Sequence, residues 1–421
     1  MKRVWSAAAV AVVAGGVTAV ASPAWATNGY FAHGHGTPAK GRAGAGTAYG
    51  FGPLAAATNP ALGEGAGNIA GACLTGFYPD RDASISGTNP LAGGPPAGDY
   101  KSENDAFYIL CGGANMRLDD RSTLGVLMTA NGGMNTEYEQ GMFNPTRQPT
   151  GVDLGQMFVG VNYARDVGSG VTLGIMPMAA YQMFEAKGLQ GFASQSSDPS
   201  KLSNNGADTS MGGGLKLGAL WDVTDRVTLG ASYQSRLYMN EFDDYAGLFA
   251  EQGDFDIPAQ SRVGVAVEAT PALTLIADWE RIEYSQVAAL GNSGNNCGPL
   301  GADNGCGFGW NDMDIWRLGA EWKVRPGLVL RAGVSRASDF TDGSEATLNV
   351  LAPATIKDHA SVGFSYRINE SWGMSGSYTR SFSNTLNGTV PAGAPPGGLG
   401  GGNVDLTMDQ HELSFGVSYR W

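Results

Sequence analysis

The segment LSFGVSYRW, residues 413–421, constrains the fold more than any other stretch of the chain. Leu413, Phe415, Val417, Tyr419 and Trp421 share one face of an extended strand, while Ser414, Gly416, Ser418 and Arg420 share the other. An apolar face and a small, polar face at period two describe a strand lying between two different solvents. In water, a strand edge that ends on an aromatic is an aggregation hazard. In a closed transmembrane barrel the last strand pairs with the first, and aromatics belong at the bilayer interface. The expectation is a membrane barrel closed by residues 408–421.

The N-terminus points to the same compartment. Lys2 and Arg3, the apolar run Val4 to Val20 and the A-x-A site Ala24-Trp25-Ala26 read as a secretory signal over residues 1–26. The mature chain is expected to begin at Thr27. A membrane anchor is the competing reading, but Gly15-Gly16 and Thr18 shorten its core. No later run reaches the about 18 apolar residues that a spanning helix needs. The 64 glycines instead suit a barrel wall whose inward positions are small or polar. Loss of Lys2 and Arg3 takes the formal charge from −13 to −15, which argues against nucleic acid as a partner.

Four cysteines in an exported chain favour two bridges. Cys297 and Cys306 share a Gly/Asn-rich loop, and Cys73 and Cys111 lie in consecutive predicted strands. The pairings expected are Cys73–Cys111 and Cys297–Cys306. No C-x-x-C pair or His lies near them, so neither a metal nor a cofactor is expected.

Alternation predicts strands at 68–79, 104–117, 122–135, 153–165, 171–184, 209–222, 227–241, 257–269, 272–285, 312–323, 328–336, 356–368, 372–382 and 408–421. In the seventh, Val227, Leu229, Ala231, Tyr233, Leu237 and Met239 face one way and Thr228, Gly230, Ser232, Gln234 and Arg236 the other. The connectors alternate between tight turns, such as Thr270-Pro271 and Asn369-Glu370, and long loops rich in Gly, Pro, Asn and Asp. Outer-membrane barrels sort their loops in this way, with short turns in the periplasm and long loops outside the cell. The fold class predicted is all-β: a 14-stranded antiparallel transmembrane barrel over residues 68–421. A lumen of that width needs more than wall side chains to fill it. The Gly- and Ala-rich segment 27–67 has the size of an N-terminal hatch, a plug inside the lumen.

Residues 27–61, TNGYFAHGHGTPAKGRAGAGTAYGFGPLAAATNPA, resemble the hatch of the FadL/TodX family of outer-membrane transporters for hydrophobic compounds, with Asn59-Pro60-Ala61 at that family's NPA motif. Residues 257–285, 352–386 and the HELSFGVSYRW ending resemble its recurring strand pairs. The resemblance implies a monomeric barrel for long-chain fatty acids or aromatic hydrocarbons. It also implies a groove among extracellular loops and a hatch whose movement opens the wall beside a kinked third strand. Gly132 and Gly133 are the candidate kink.

Apolar side chains in water-bathed loops ask for an explanation. Phe184, Leu189 and Phe192, with Phe242, Tyr245, Leu248 and Phe249, form the candidate ligand groove; packing of the loops on one another as a lid is the equal alternative. Arg236, Arg317 and Arg367 face inward and are candidate contacts for a carboxylate head group; partnership with lumen carboxylates or the plug is the competing role. His33 and His35 have metal-like spacing but no carboxylate close in sequence, which favours a structural role. His359 and Ser361 share a strand face, which invites a hydrolase reading, yet Asp358 points away and no nucleophile elbow exists. The protein is expected to be no enzyme. Its partners are expected to be hydrophobic small molecules, outer-membrane lipid and lipopolysaccharide, and the barrel-assembly machinery at the last strand. A general porin for polar solutes is the alternative function, and an outer-membrane lipase or protease the lesser one.

Overall fold

The computed structural model describes residues 28–89, 94–143, 148–392 and 399–421, so the signal assigned to residues 1–26 lies outside the described residues. Fourteen long strands form the wall: β1 Ile69–Ser86, β2 Phe107–Asp119, β3 Ser122–Tyr138, β4 Thr150–Gly168, β5 Val171–Lys187, β6 Asp208–Thr224, β7 Val227–Gln234, β8 Gln260–Thr270, β9 Leu273–Ile282, β10 Met313–Arg325, β11 Leu328–Ala337, β12 Asp358–Arg367, β13 Trp372–Thr389 and β14 Asn403–Arg420. Each pairs antiparallel with its neighbours. β14 returns to β1 in an unbroken register from Ile69↔Arg420 to Ser86↔Asn403, and the sheet is closed. Short ribbons at Gly98–Lys101 and Tyr238–Met239 add to β1 and β6.

Alternation survives in three dimensions. Phe415, Val417, Leu318, Trp316 and Val362 are exposed on the outer face, whereas Ser414, Arg317 and Ser361 are buried on the inner one. No helix is long and apolar enough to cross a membrane. The cysteines are joined as Cys73–Cys111 and Cys297–Cys306, each with Cα atoms 5.0 Å apart.

Four strands depart from the sequence expectation: β13 runs past residue 382 to Thr389, β14 begins at Asn403 and not at 408, and β1 and β7 also differ. β1 runs beyond residue 79 to Ser86, because its outer half still pairs with β14 while the polarity of its faces reverses: Ala83 and Ile85 are buried and Asp82 and Ser84 are exposed. β7 stops at Gln234 and not at 241. Ser235 bonds Leu215 through both its amide and hydroxyl, and Leu237 then turns to pair with Ile257. Leu237 and Met239 are consequently buried instead of facing lipid with Leu229 and Tyr233.

Residues 28–67 lie within the barrel as four short helical turns joined by irregular backbone, and most of them are buried. Thr37–Lys40 packs on β12, β13 and β14, while Pro60–Leu62 packs on β4, β5 and β6, so the segment crosses the lumen. The approach is close enough to select glycine in the wall. A methyl group on Gly333 would strike the Arg42 backbone, and one on Gly218 would strike Asn59 Oδ1.

The wall meets this segment with buried charges. Glu321 receives Arg42 (3.2 Å), Arg331 (2.7 Å) and the Tyr49 hydroxyl (2.9 Å). Glu412 receives Lys40 at 2.8 Å. Asp278 accepts from Gly46 N, Thr47 N and Thr47 Oγ1 at 2.6–3.0 Å. Beside them Glu280 neutralises both Arg262, at 2.8 Å, and Arg317. Removing one member of a buried ionic group leaves the rest uncompensated, at a cost of about 3–5 kcal/mol. Glu280→Gln should therefore lower stability by that order, read as an earlier urea midpoint for loss of the heat-modifiable band. An unchanged midpoint would show that Arg262 and Arg317 find their counter-charge elsewhere.

Candidate functional site

The long-loop half of the lumen is aromatic. Phe184, at the end of β5, contacts Tyr245 and Phe249 at ring-centroid distances of 4.8 and 4.6 Å and Phe242 at 5.6 Å. Phe249 contacts Phe255 at 4.8 Å, Phe255 contacts Tyr30 at 6.1 Å, and Tyr30 contacts Phe31 at 5.1 Å. Tyr284, Trp310 and Phe340 complete the lower end, with Tyr284 5.6 Å from Tyr30. All these separations fall in the range of favourable ring pairs. They form a continuous column from the loops to the N-terminal segment.

All seven loop residues proposed from sequence belong to this apolar cluster, with the Phe192 ring tilted against Phe143 at 4.9 Å. They are packed against one another, and Leu248 alone is only half-buried. Tyr245, Leu248 and Phe249 share a turn in which Leu248 N and Phe249 N both donate to Tyr245 O. The sequence reading missed the lower column. Tyr30 and Phe31 are adjacent aromatics in a Gly-rich segment, and Trp310 stands in a Gly-rich loop; rings in such settings were the available signal.

At its foot the column meets an interruption in the wall. β2 and β3 pair only as far as Gly112↔Met128. Beyond that, β3 continues against β4 alone, with a bulge between Ala130 and Gly132. The Cys73–Cys111 bridge fastens β2 to β1 beside the divergence. Residues 30–32 dock into the interruption: Ala32 N donates to Asn131 O at 2.6 Å and Gly133 N donates to Tyr30 O at 3.1 Å. Phe31 faces Gly132 there. The Gly132-Gly133 kink proposed from sequence therefore lies where the N-terminal segment replaces β2 as the backbone partner. The remaining hollow, bordered by Ile109, Thr129 and Ala130, measures about 20 Å³, room for about one water.

Asn59 is the central tie of the segment. Its Nδ2 donates to Thr47 O at 2.8 Å and Ala219 O at 3.1 Å, and its Oδ1 accepts from Ala61 N at 3.0 Å. Pro60 O accepts from Asn162, and Lys216 Nζ donates to Ala57 O at 2.7 Å.

The three proposed head-group arginines are not brought together. Arg236 is held by Asp256 at 2.6 Å and Asp254 at 3.4 Å, where burial and then Asp256 push the Asp254 carboxyl up to about 7. Arg317 is spent on Glu280. Arg367 is exposed at the short-turn end, far from the aromatic column. His33 does acquire a carboxylate neighbour through folding, Glu412 at 3.8 Å. Burial, then Lys40 and Arg317, hold its imidazole well below the usual range, so Lys40 carries the ion pair. Among the described residues no group of three metal-ligating side chains exists. His359 bonds Ser335 and Ser361 bonds Thr379, so the hydrolase pairing of His359 with Ser361 does not form.

Residues 17–420 match the family model described as outer membrane protein transport protein (OMPP1/FadL/TodX). Among solved structures the chain is similar to the Pseudomonas putida toluene transporter TodX, with TM-score 0.71, 16% identity, and 92% of this chain and 99% of that one covered. A Pseudomonas aeruginosa FadL homologue gives TM-score 0.71 at 18% identity over 93% and 99%. The Ralstonia pickettii toluene transporter TbuX gives 0.64 at 17% over 92% and 99%. At these identities the likeness shows the fold. No curated protein matches the chain.

Asn59→Ala removes three hydrogen bonds worth about 1 kcal/mol each. The variant should keep a heat-modifiable barrel but show faster proteolysis within residues 28–67 and raised ion leak in planar bilayers. Proteolysis and leak at wild-type levels would show that the segment is held without Asn59.

Proposed function

The chain belongs to the outer membrane protein transport protein family (OMPP1/FadL/TodX), and from that premise we propose that it carries neutral aromatic hydrocarbons inward along the aromatic column and releases them sideways through the β2–β3 interruption. The protein is an outer-membrane transporter of hydrophobic compounds, in a family of transport channels and not of enzymes. The observation that carries the route is the unbroken line of rings from Phe184 and Phe249 to Phe31 at the bulge.

The two halves of the lumen favour this path. An apolar solute gains by leaving water for the ring-lined half, at about 25 cal/mol per Å² of apolar surface buried. Below Tyr30 it would meet the buried carboxylates and cations that hold residues 28–67, whose hydrogen bonds it cannot replace. Sideways, the bulge leads to the bilayer. Arg236 and Arg317 are both neutralised by carboxylates, so the column offers no free cation for a fatty-acid head group at those positions. Toluene is the molecule transported by TodX and TbuX, and a compound of that class fits a column of rings.

Residues 28–67 act as the hatch: withdrawal of Tyr30–Ala32 from Asn131 and Gly133 would widen the hollow. Phe192, Leu300 and Leu348 border an outer recess of about 40 Å³, which would have to widen for an aromatic molecule to land there. In this scheme the protein works as a monomer in contact with outer-membrane lipid and lipopolysaccharide. The barrel-assembly machinery would take it up through Leu413–Trp421. A general porin is not favoured, because the N-terminal segment occupies the lumen.

Cells carrying the gene should take up labelled toluene faster than cells without it, and faster relative to control than labelled oleate. Ile109→Trp, which adds bulk at the edge of the interruption, should slow toluene uptake roughly tenfold, equivalent to about 1.4 kcal/mol of barrier, with an unchanged amount of folded barrel. A large, steady ohmic current through the wild-type protein, or uptake indifferent to the gene, would overturn the proposal.

A further inference from the structure

A second site lies at the opposite end of the molecule. Below residues 28–67, the short-turn end of the barrel opens into a cavity of about 770 Å³. That size is typical of small-molecule sites, and the aromatic column does not contribute to it. Its floor is apolar and comes from the N-terminal segment, with Pro53, Leu54 and a Phe51 ring that is 51% exposed.

Its rim is cationic. Lys323 and Arg325 at the end of β10, Arg367 at the end of β12 and Arg420 at the end of β14 all line it. Lys323, Arg367 and Arg420 occupy inward positions by alternation, Lys323 following Arg317 and Glu321, Arg367 following Ser361 and Arg420 following Ser414, while Arg325 lies past a bulge and lines the cavity from the start of the turn. Arg367 and Arg420 bracket one tight turn, with Arg367 N bonded to Gly327 O and Arg420 N to Ser371 O. Among the described residues none of these four cations has a carboxylate partner within ion-pair distance, whereas the two deeper lining cations, Arg42 and Arg331, share Glu321. Among the described residues the one other acidic residue lining the cavity is Glu370.

A chain with a formal charge of −13 has thus gathered unpaired positive charge around an apolar hollow. Like charges at one mouth repel unless an anion joins them, and low-dielectric walls focus their field. We propose that this periplasmic cavity binds an amphipathic organic anion, its carboxylate or phosphate head held by Arg367 and Arg420 with Lys323 and Arg325, and its apolar body laid on Phe51, Pro53 and Leu54. The site rests on the outer-membrane placement of the barrel but not on the route through the aromatic column. Arginine suits such heads because its planar fork donates two parallel charge-assisted bonds.

The test compares dodecanoate, lysophosphatidylglycerol and uncharged dodecanol binding to the purified full-length barrel in a neutral detergent, at low and high salt. The wild type should bind the anions more tightly at low salt. The variant Lys323→Gln/Arg325→Gln/Arg367→Gln/Arg420→Gln should weaken anion binding at least roughly tenfold, about 1.4 kcal/mol, with dodecanol unchanged. Restoring Arg367→Lys and Arg420→Lys in that background should recover part of the loss. A fall confined to dodecanoate names the carboxylate as the head; a fall for the lysophospholipid names the phosphate. Equal weakening of dodecanol, or no weakening of either anion, would overturn the site. Toluene uptake by wild-type cells, measured in parallel, tests the transport proposal separately.

Discussion

Hydrocarbon offers a peptide group no hydrogen-bond partner, so a sheet can cross it only if its ladder closes on itself. Here the ladder closes through the pairing of Asn403–Arg420 with Ile69–Ser86, and the rest of the structure depends on that ring. The ring gives the wall an outward apolar band, makes the lumen a separate compartment, and makes any break in pairing conspicuous. Among the described residues such a break lies beyond Gly112↔Met128. Backbone from residues 30–32 is drawn into it, because Asn131 O and Gly133 N would otherwise lack a partner. The segment that fills the lumen is thus also the segment that patches the wall.

In the proposed route, that double use would link the filling of the lumen to an opening of the wall. Tyr30 and Phe31 touch the aromatic column on one side and the bulge on the other. A molecule that displaces these rings disturbs the hydrogen bonds that seal the interruption. Lower down, the same segment is anchored by Glu321, Glu412, Asp278 and the carboxamide of Asn59. Removing a partner from a buried charge is expensive, so the anchors favour movement at the Tyr30 end over expulsion of the whole segment. The lumen is divided accordingly, with rings toward the loops, ion pairs across the middle and a cationic hollow toward the periplasm.

Much of the wall was legible because lipid enforces it locally. Val362 and Tyr366 must face hydrocarbon and Ser361 must not, and a one-residue slip would reverse both. Where that enforcement stops, prediction from alternation fails in both directions. β1 extends past residue 79 on pairing alone, and β7 ends at Gln234 because Ser235 and Leu237 are captured by β6 and Ile257. The loop aromatics Phe184, Phe242 and Phe249 were visible as rings that water would reject. For Arg236 and Arg317 partnership with carboxylates was weighed against a head-group contact, but the partners themselves, Asp256 and Glu280, were not legible, because they are set by how loop and wall fold against each other.

Period-two alternation, the sorting of short and long connectors and the resemblance of residues 27–61 to a known hatch determined a fourteen-stranded outer-membrane barrel and the family to which it belongs. Those signals are short-range or compositional, so the chain carries them without being folded. Tertiary structure alone decided that Tyr30 and Phe31 stand between the ring column and the Gly132 bulge. It alone gathered Lys323, Arg325, Arg367 and Arg420 at one mouth, with no ion-pair partner among the described residues. Both are juxtapositions of residues far apart in the chain, and only closure of the ring brings them together.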